Sequence, residues 1–192
     1  MIIGKLRIKT APTLTAITLA EAKDHLRVTS TDDDTYITTL IKVATDMVEQ
    51  ITRRTLMDTT YELFLDAFPP YIDLATGPAR SVVKIDYIDP DGNTQTLATA
   101  NYKTDLKAEP ARIYVANGKS FPTLSNEPNA VTVEFIAGYA NEAAVPSAIK
   151  QAMLLIVGRY YETRQDVTDK QYKEVPKTVE HLLGPYRLLE VC

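Results

Sequence analysis

Thr60-Tyr61-Glu62-Leu63-Phe64-Leu65-Asp66 is where this chain changes its period, and that change decides the fold. Before it, Tyr36, Ile37, Leu40, Ile41, Ala44, Met47, Val48 and Ile51 recur at spacings of three and four. Such a stripe predicts an amphipathic helix to about Arg53. From Thr60 the period is two: Tyr61, Leu63 and Leu65 alternate with Glu62 and Asp66. The same alternation returns in Val83, Ile85 and Tyr87 against Lys84 and Asp86, and in Val131, Val133 and Phe135 against Thr132 and Glu134. Each pattern predicts a half-buried strand. Ile113 and Val115 mark a shorter one, and Asp89-Pro90-Asp91-Gly92-Asn93 has the residues of a hairpin turn. Polar outer faces predict an antiparallel sheet or small sandwich, not a buried parallel sheet.

Helical signals flank this strand block on both sides. Thr18-Leu19-Ala20-Glu21 reads as a capping box, starting a short helix to about Arg27 with Leu19, Ala22 and Leu26 inward. Asp32-Asp33-Asp34 places negative charge at the start of the following helix, where the macrodipole favours it. Upstream, Lys5-Leu6-Arg7-Ile8-Lys9 alternates as an edge strand guarded by its lysines would. After Gly138, Pro146 suits a first helical turn, and Ile149, Ala152, Met153, Ile156, Val157 and Tyr160 continue a stripe to about Thr163. Arg164 to Val175 is polar and reads as a mobile loop. The last helix is expected from Pro176, with Val179, Leu182 and Leu183 inward and a stop at Gly184-Pro185. The fold class is therefore α+β. A small bundle of N- and C-terminal helices, about 18–54 and 145–184, holds an inserted β region, about 60–137, within one domain of residues 1–192 that ends in a tail, 185–192.

Composition narrows the function classes. The 192 residues suffice for one good core but not for two typical enzyme domains, and the apolar share of 45% and charged share of 24% are those of a globular protein. The formal charge of -4, without a basic stripe, is a poor match to proteins that grip nucleic acid by counterion release. The single cysteine, Cys192, excludes an internal disulfide, and the longest apolar run, Met153 to Val157, is far short of a membrane span. A cytoplasmic origin and no membrane role are expected.

No constellation points to chemistry. Three adjacent aspartates attract hard cations, but a helix start explains the charges of Asp32 to Asp34 better, since no second acidic cluster has a fixed relation to them. Asp89 to Asn93 resembles a calcium loop only superficially: its glycine comes too early, and Ala100 stands where a closing glutamate belongs. His25 and His181 lie at opposite ends of the chain, and no serine or cysteine with an orienting acid accompanies either. The seven glycines are scattered, so no phosphate loop forms. Catalytic residues, cofactors and metals are all expected to be absent. Tyr160-Tyr161 is the candidate contact surface, because tyrosine buries its ring in interfaces while keeping its hydroxyl bonded.

Several segments together resemble the head-tail connector, or head-completion adaptor, proteins of tailed bacteriophages. They are residues 19–28 (Leu19-Ala20-Glu21-Ala22-Lys23-Asp24-His25-Leu26-Arg27-Val28) with the aspartates after them, Tyr61-Glu62-Leu63, Phe135-Ile136-Ala137-Gly138-Tyr139, Val145 to Ala152 leading into Tyr160-Tyr161-Glu162, and Leu182 to Arg187. The resemblance covers nearly the whole chain and places it in a subgroup with a larger β insert. It implies a non-enzymatic virion protein at the head-tail interface, made in the host cytoplasm. Such a protein forms a ring, commonly of twelve copies, beneath the portal, extends the channel through which double-stranded DNA passes, and receives a stopper or tail-completion protein. Tyr160, Tyr161, Tyr186, Arg187, Leu188 and Leu189 are then the expected contact residues. The segment after Gly184 is expected to be a tail that docks on the portal and can be deleted without harm to the fold. A small β-sandwich that binds carbohydrate or peptide is the alternative, weakened by the absence of tryptophan.

Overall fold

The computed structural model describes residues 4–163 and 177–188. These residues form an α+β structure of two compact units, one of strands and one of helices.

The strand unit comprises residues 1–12 and 58–138. Its strands are β1 (Lys5–Thr10), β2 (Thr59–Leu65), β3 (Tyr71–Leu74), β4 (Ala79–Ile88), β5 (Thr94–Thr96), β6 (Tyr102–Asp105), β7 (Ala111–Val115) and β8 (Val131–Ala137). They make two antiparallel sheets, ordered β1-β2-β8-β4-β5 and β3-β7-β6. Along β2, Tyr61, Leu63 and Leu65 face Phe135, Val133 and Val131 of β8 in register. The period-two residues thus form one apolar face. Ile72, Leu74 and Ile113 of the smaller sheet join them in a single buried cluster, with Phe135 fully buried and stacked on Tyr61 at 5.6 Å between ring centres. The hairpin forms as its sequence requires: Gly92 has φ 83°, and Asp89 Oδ1 accepts the amides of Asp91 and Asn93 at 3.1 and 2.9 Å.

Strict alternation fails in β4. Val83, expected on the inner face, is 49% exposed. The register explains it: Val82 opposes Phe135 and Lys84 opposes Glu134, so Val83 is the extra residue of a bulge. Val82 packs toward the core in its place. Strands β3 and β6 are four residues each, too short for a period to show in the sequence.

The helical unit comprises residues 13–57 and 139–192. It contains α1 (Leu19–Leu26), α2 (Asp34–Thr52), α3 (Ser147–Glu162) and α4 (Lys177–Leu183). Its core is the predicted stripes brought together: Ile37, Leu40, Ile41, Ala44 and Val48 of α2, Ile149, Ala152, Met153, Ile156 and Val157 of α3, and Val179 and Leu183 of α4. The capping box of α1 is closed, with Thr18 Oγ1 accepting the Glu21 amide at 3.1 Å and Glu21 Oε2 accepting the Thr18 amide at 2.7 Å. Lys150 of α3 donates to the same carboxylate at 3.0 Å, so the cap also ties two helices together. Helices α1 and α2, expected to reach about Arg27 and Arg53, are capped at those residues, each in the left-handed region that glycine more often takes. Tyr160, expected to continue the inward stripe of α3, is instead 39% exposed. The stretch Arg164 to Val175 and Pro176 lie outside the described residues.

Gly158 sits inside α3, where glycine costs roughly 0.5–1 kcal/mol relative to alanine. An added Cβ would meet only His25 and Leu26 side-chain atoms, the nearest at 3.5 Å, an ordinary contact. Gly158→Ala is therefore expected to stabilise the helical unit by up to about 1 kcal/mol, read as a higher denaturation midpoint.

Candidate assembly surfaces

The described residues gather no reaction centre. No group of three or more His, Cys, Asp or Glu among them is placed to hold a metal ion. No helix among the described residues is long and apolar enough to cross a membrane. His25 and His181 are exposed on α1 and α4. The three aspartates have separate partners: Asp32 accepts from Ser30 at 2.6 Å, Asp33 from the Tyr161 hydroxyl at 2.5 Å, and Asp34 pairs with Lys23 at 2.6 Å. Asp33 is the N-cap residue of α2, but its side chain makes no cap bond. Its carboxylate ties the end of α3 to the start of α2 instead.

The tyrosines and the C-terminal residues divide by environment. Tyr161 is half-buried, its ring 6.1 Å from that of Tyr36 and its hydroxyl on Asp33. Tyr160 offers an exposed ring, while its carbonyl accepts from the Tyr36 hydroxyl at 3.2 Å. Tyr186 packs against the helical core, and its carbonyl accepts a hydrogen bond from Nε of the buried Arg54. Arg187 is exposed, and Leu188 is half-buried with its amide on Thr52 O at 2.9 Å. Leu189 lies outside the described residues. The segment as far as Leu188 is therefore fastened to the end of α2 and is not a free tail.

A second surface, read in the sequence only as the polar faces of separate strands, is the outer face of the five-stranded sheet. Alternation puts Arg7, Glu62, Glu134, Lys84 and Asp86 side by side across four strands. Glu62 and Glu134 oppose each other directly, which alone would destabilise the pair. Lys9, left over at the register shift in β1, bridges them at 3.5 and 2.6 Å, while Arg7 reaches Glu62 at 2.5 Å. Hydrogen bonding and charge from Arg7, then Lys9, hold the Glu62 carboxyl below its ordinary value. Its contribution is accordingly complete above an unfolded value of 4.5 and is lost as pH falls through the lower folded value. Wild type should melt above Glu62→Gln at pH 7, and the gap should close under acid conditions. A gap independent of pH would contradict this pairing.

Exposed apolar groups complete the surfaces. Leu6 and Ile8 of β1 are 40% and 55% exposed although they oppose the buried Leu63 and Tyr61, because the smaller sheet leaves β1 uncovered. On the smaller sheet, Tyr71 and Tyr114 are neighbours, with Arg112 lying 4.9 Å over Tyr71 and bound to Asp73 at 2.9 Å. The sequence signals for these surfaces were the alternation of the strands, the edge-strand pattern of Lys5 to Lys9 and the count of eleven tyrosines against four phenylalanines.

Comparison with known proteins supplies the context for these surfaces. Residues 16–89 match the family model described as phage gp6-like head-tail connector protein. Among curated proteins nothing matches. Among solved structures, the chain is similar to one in the neck of an empty gene transfer agent (GTA) particle computed with C6 symmetry, at 26% identity and TM-score 0.77, covering 98% of this chain and 97% of the other. It is similar to one in the neck of the native GTA particle computed with C12 symmetry, at 25% identity and TM-score 0.78 over 98% and 97%. A chain of the native GTA virion matches at 26% and 0.77 over 97% of both chains.

Proposed function

We propose that this chain, which matches the phage gp6-like head-tail connector model over residues 16–89 and neck chains over 97–98% of its length, is a structural component of a phage-like neck and forms a ring of identical subunits beneath a portal. The ring extends the DNA channel and presents a seat for a stopper or tail-completion protein. One observation carries the reading: a likeness to neck chains that spans 97–98% of this chain, strand unit and helical unit alike, in necks of sixfold and twelvefold symmetry. The twelvefold symmetry of one of those necks supports a ring of twelve copies. A closed ring repeats one heterologous contact, so each subunit must own two different faces, and the exposed apolar groups on several strands and on α3 supply candidates. A channel must let DNA slide, and a formal charge of -4 without a basic stripe fits that demand. The subunit works by protein contacts alone, with Tyr160, Arg187 and the residues after Leu188 as contact candidates.

A carbohydrate- or peptide-binding sandwich would account for the strand unit only and leave the matched helical unit without a purpose. Particles made without this chain should contain heads that never acquire tails, and restoring the chain should restore joining. Tailed particles assembled in its absence would refute the proposal.

A further inference from the structure

Among the described residues, the five-stranded sheet leaves two stretches of edge longer than three residues unpaired, besides the outer side of the three-residue β5. One is the outer side of β1, whose six residues are all exposed. The other is the first part of β4. Strand β5 pairs only with Asp86, Tyr87 and Ile88, and Leu97 closes on Ile85, so no strand lies beyond residues 79–84. Both edges place apolar side chains in water, Leu6 and Ile8 on the first and Val83 on the second. Unpaired edges of this kind are templates for strand addition.

Strand direction decides what can pair with them. Each neighbour along β1-β2-β8-β4 is antiparallel, so β1 and β4 run in opposite directions. Four strands is an even number. A second copy that lays its β1 beside β4 therefore continues the antiparallel alternation, whereas an odd number would force a parallel pair. The two stretches are alike in residue count, six each, with β1 spanning five rungs of its ladder and residues 79–84 spanning four because of their bulges. Beyond Asp86 the lane is filled by β5, which limits how far an incoming strand can slide. Charge does not forbid the contact: Arg7, Lys9, Arg80 and Lys84 are each ion-paired with a carboxylate of their own copy. A second copy is the occupant that fits, because the two edges differ and one contact of this type repeats from copy to copy until it closes.

We propose that the open edge of β1 in one copy hydrogen-bonds along residues 79–84 of β4 in the next, joining the five-stranded sheets head to tail. The inference rests on the ring reading and names its contact. The test places Leu6→Cys and Val83→Cys together in a Cys192→Ser chain assembled into necks, oxidises them, and runs a non-reducing gel beside electron micrographs. Ile8→Cys with Val83→Cys covers a register displaced by two residues. All three side chains are exposed, and matched melting curves check that the fold survives. A covalent ladder beyond the dimer from either pair, absent with each single cysteine, is the expected result. Rings in the micrographs without a ladder would overturn the edge pairing and leave the ring standing. A dimer from Leu6→Cys alone would overturn it in favour of a two-fold contact. Necks with no ring at all would overturn the ring reading itself.

Discussion

Replacing Phe135 with alanine is expected to cost the strand unit about 3–5 kcal/mol, the range for a fully buried phenylalanine. Phe135 has no exposed surface, stacks on Tyr61 across β2, and on its other side opposes Val82, the residue that the bulge turns toward the core. It occupies the middle strand of the larger sheet, where neighbours on both sides are fixed by the ladder. A collapse that fills the space would have to break that register. Since a small domain has only about 5–15 kcal/mol in hand, the variant should melt far lower or fail to fold. Phe135→Leu, which keeps most of the volume, should recover much of the loss. A Phe135→Ala protein that melts with the wild type would contradict the single shared core of the two sheets.

Ending the chain after Gly184 is expected to destabilise the helical unit by on the order of 3 kcal/mol, combining a charge-assisted hydrogen bond with partial burial of an aromatic ring. The truncation removes Tyr186 from the helical core, the carbonyl that accepts from Arg54, and the Leu188 amide bonded to Thr52 O at 2.9 Å. Ending the chain after Leu188 keeps all three. The pair of truncations, compared by chemical denaturation, therefore separates anchoring from docking. The longer chain should match wild type in stability, and any attachment to the portal that it loses belongs to residues 189–192. Equal stability of the two truncations would contradict the anchor. Deletion after Gly184, harmless on the sequence reading, thus confounds folding with docking.

Most of the architecture was legible because burial leaves a period. The stripes of α2 and α3 and the alternation of β2 and β8 named Ile37, Phe135, Ile149 and Met153 of the core, and the Thr18 box named its own partner, whereas Ile17, Leu56, Met57, Ile72 and Leu74 lie in segments too short to show a period. Features set by one extra residue were not legible. Nothing local marks Val83 as a bulge or Lys9 as the bridge between two glutamates, since both depend on how a partner strand happens to register. The helix ends at about Arg27 and Arg53 were legible, whereas the left-handed conformation of both arginines was not, since no glycine marks it. The anchoring of Tyr186 was missed because an apolar tail after a Gly-Pro stop looks the same whether it docks on its own bundle or on a partner. Exposed apolar edges such as Leu6 and Ile8 were read as an ordinary guarded strand, and only the extent of the covering sheet shows that their inner side is open.

The most direct measurement is the mass, by light scattering or native mass spectrometry, of the complex formed when the purified chain is mixed with a portal ring. Twelve copies added to each portal is the expected result. A chain that stays a monomer and adds no mass to the portal would contradict the central claim.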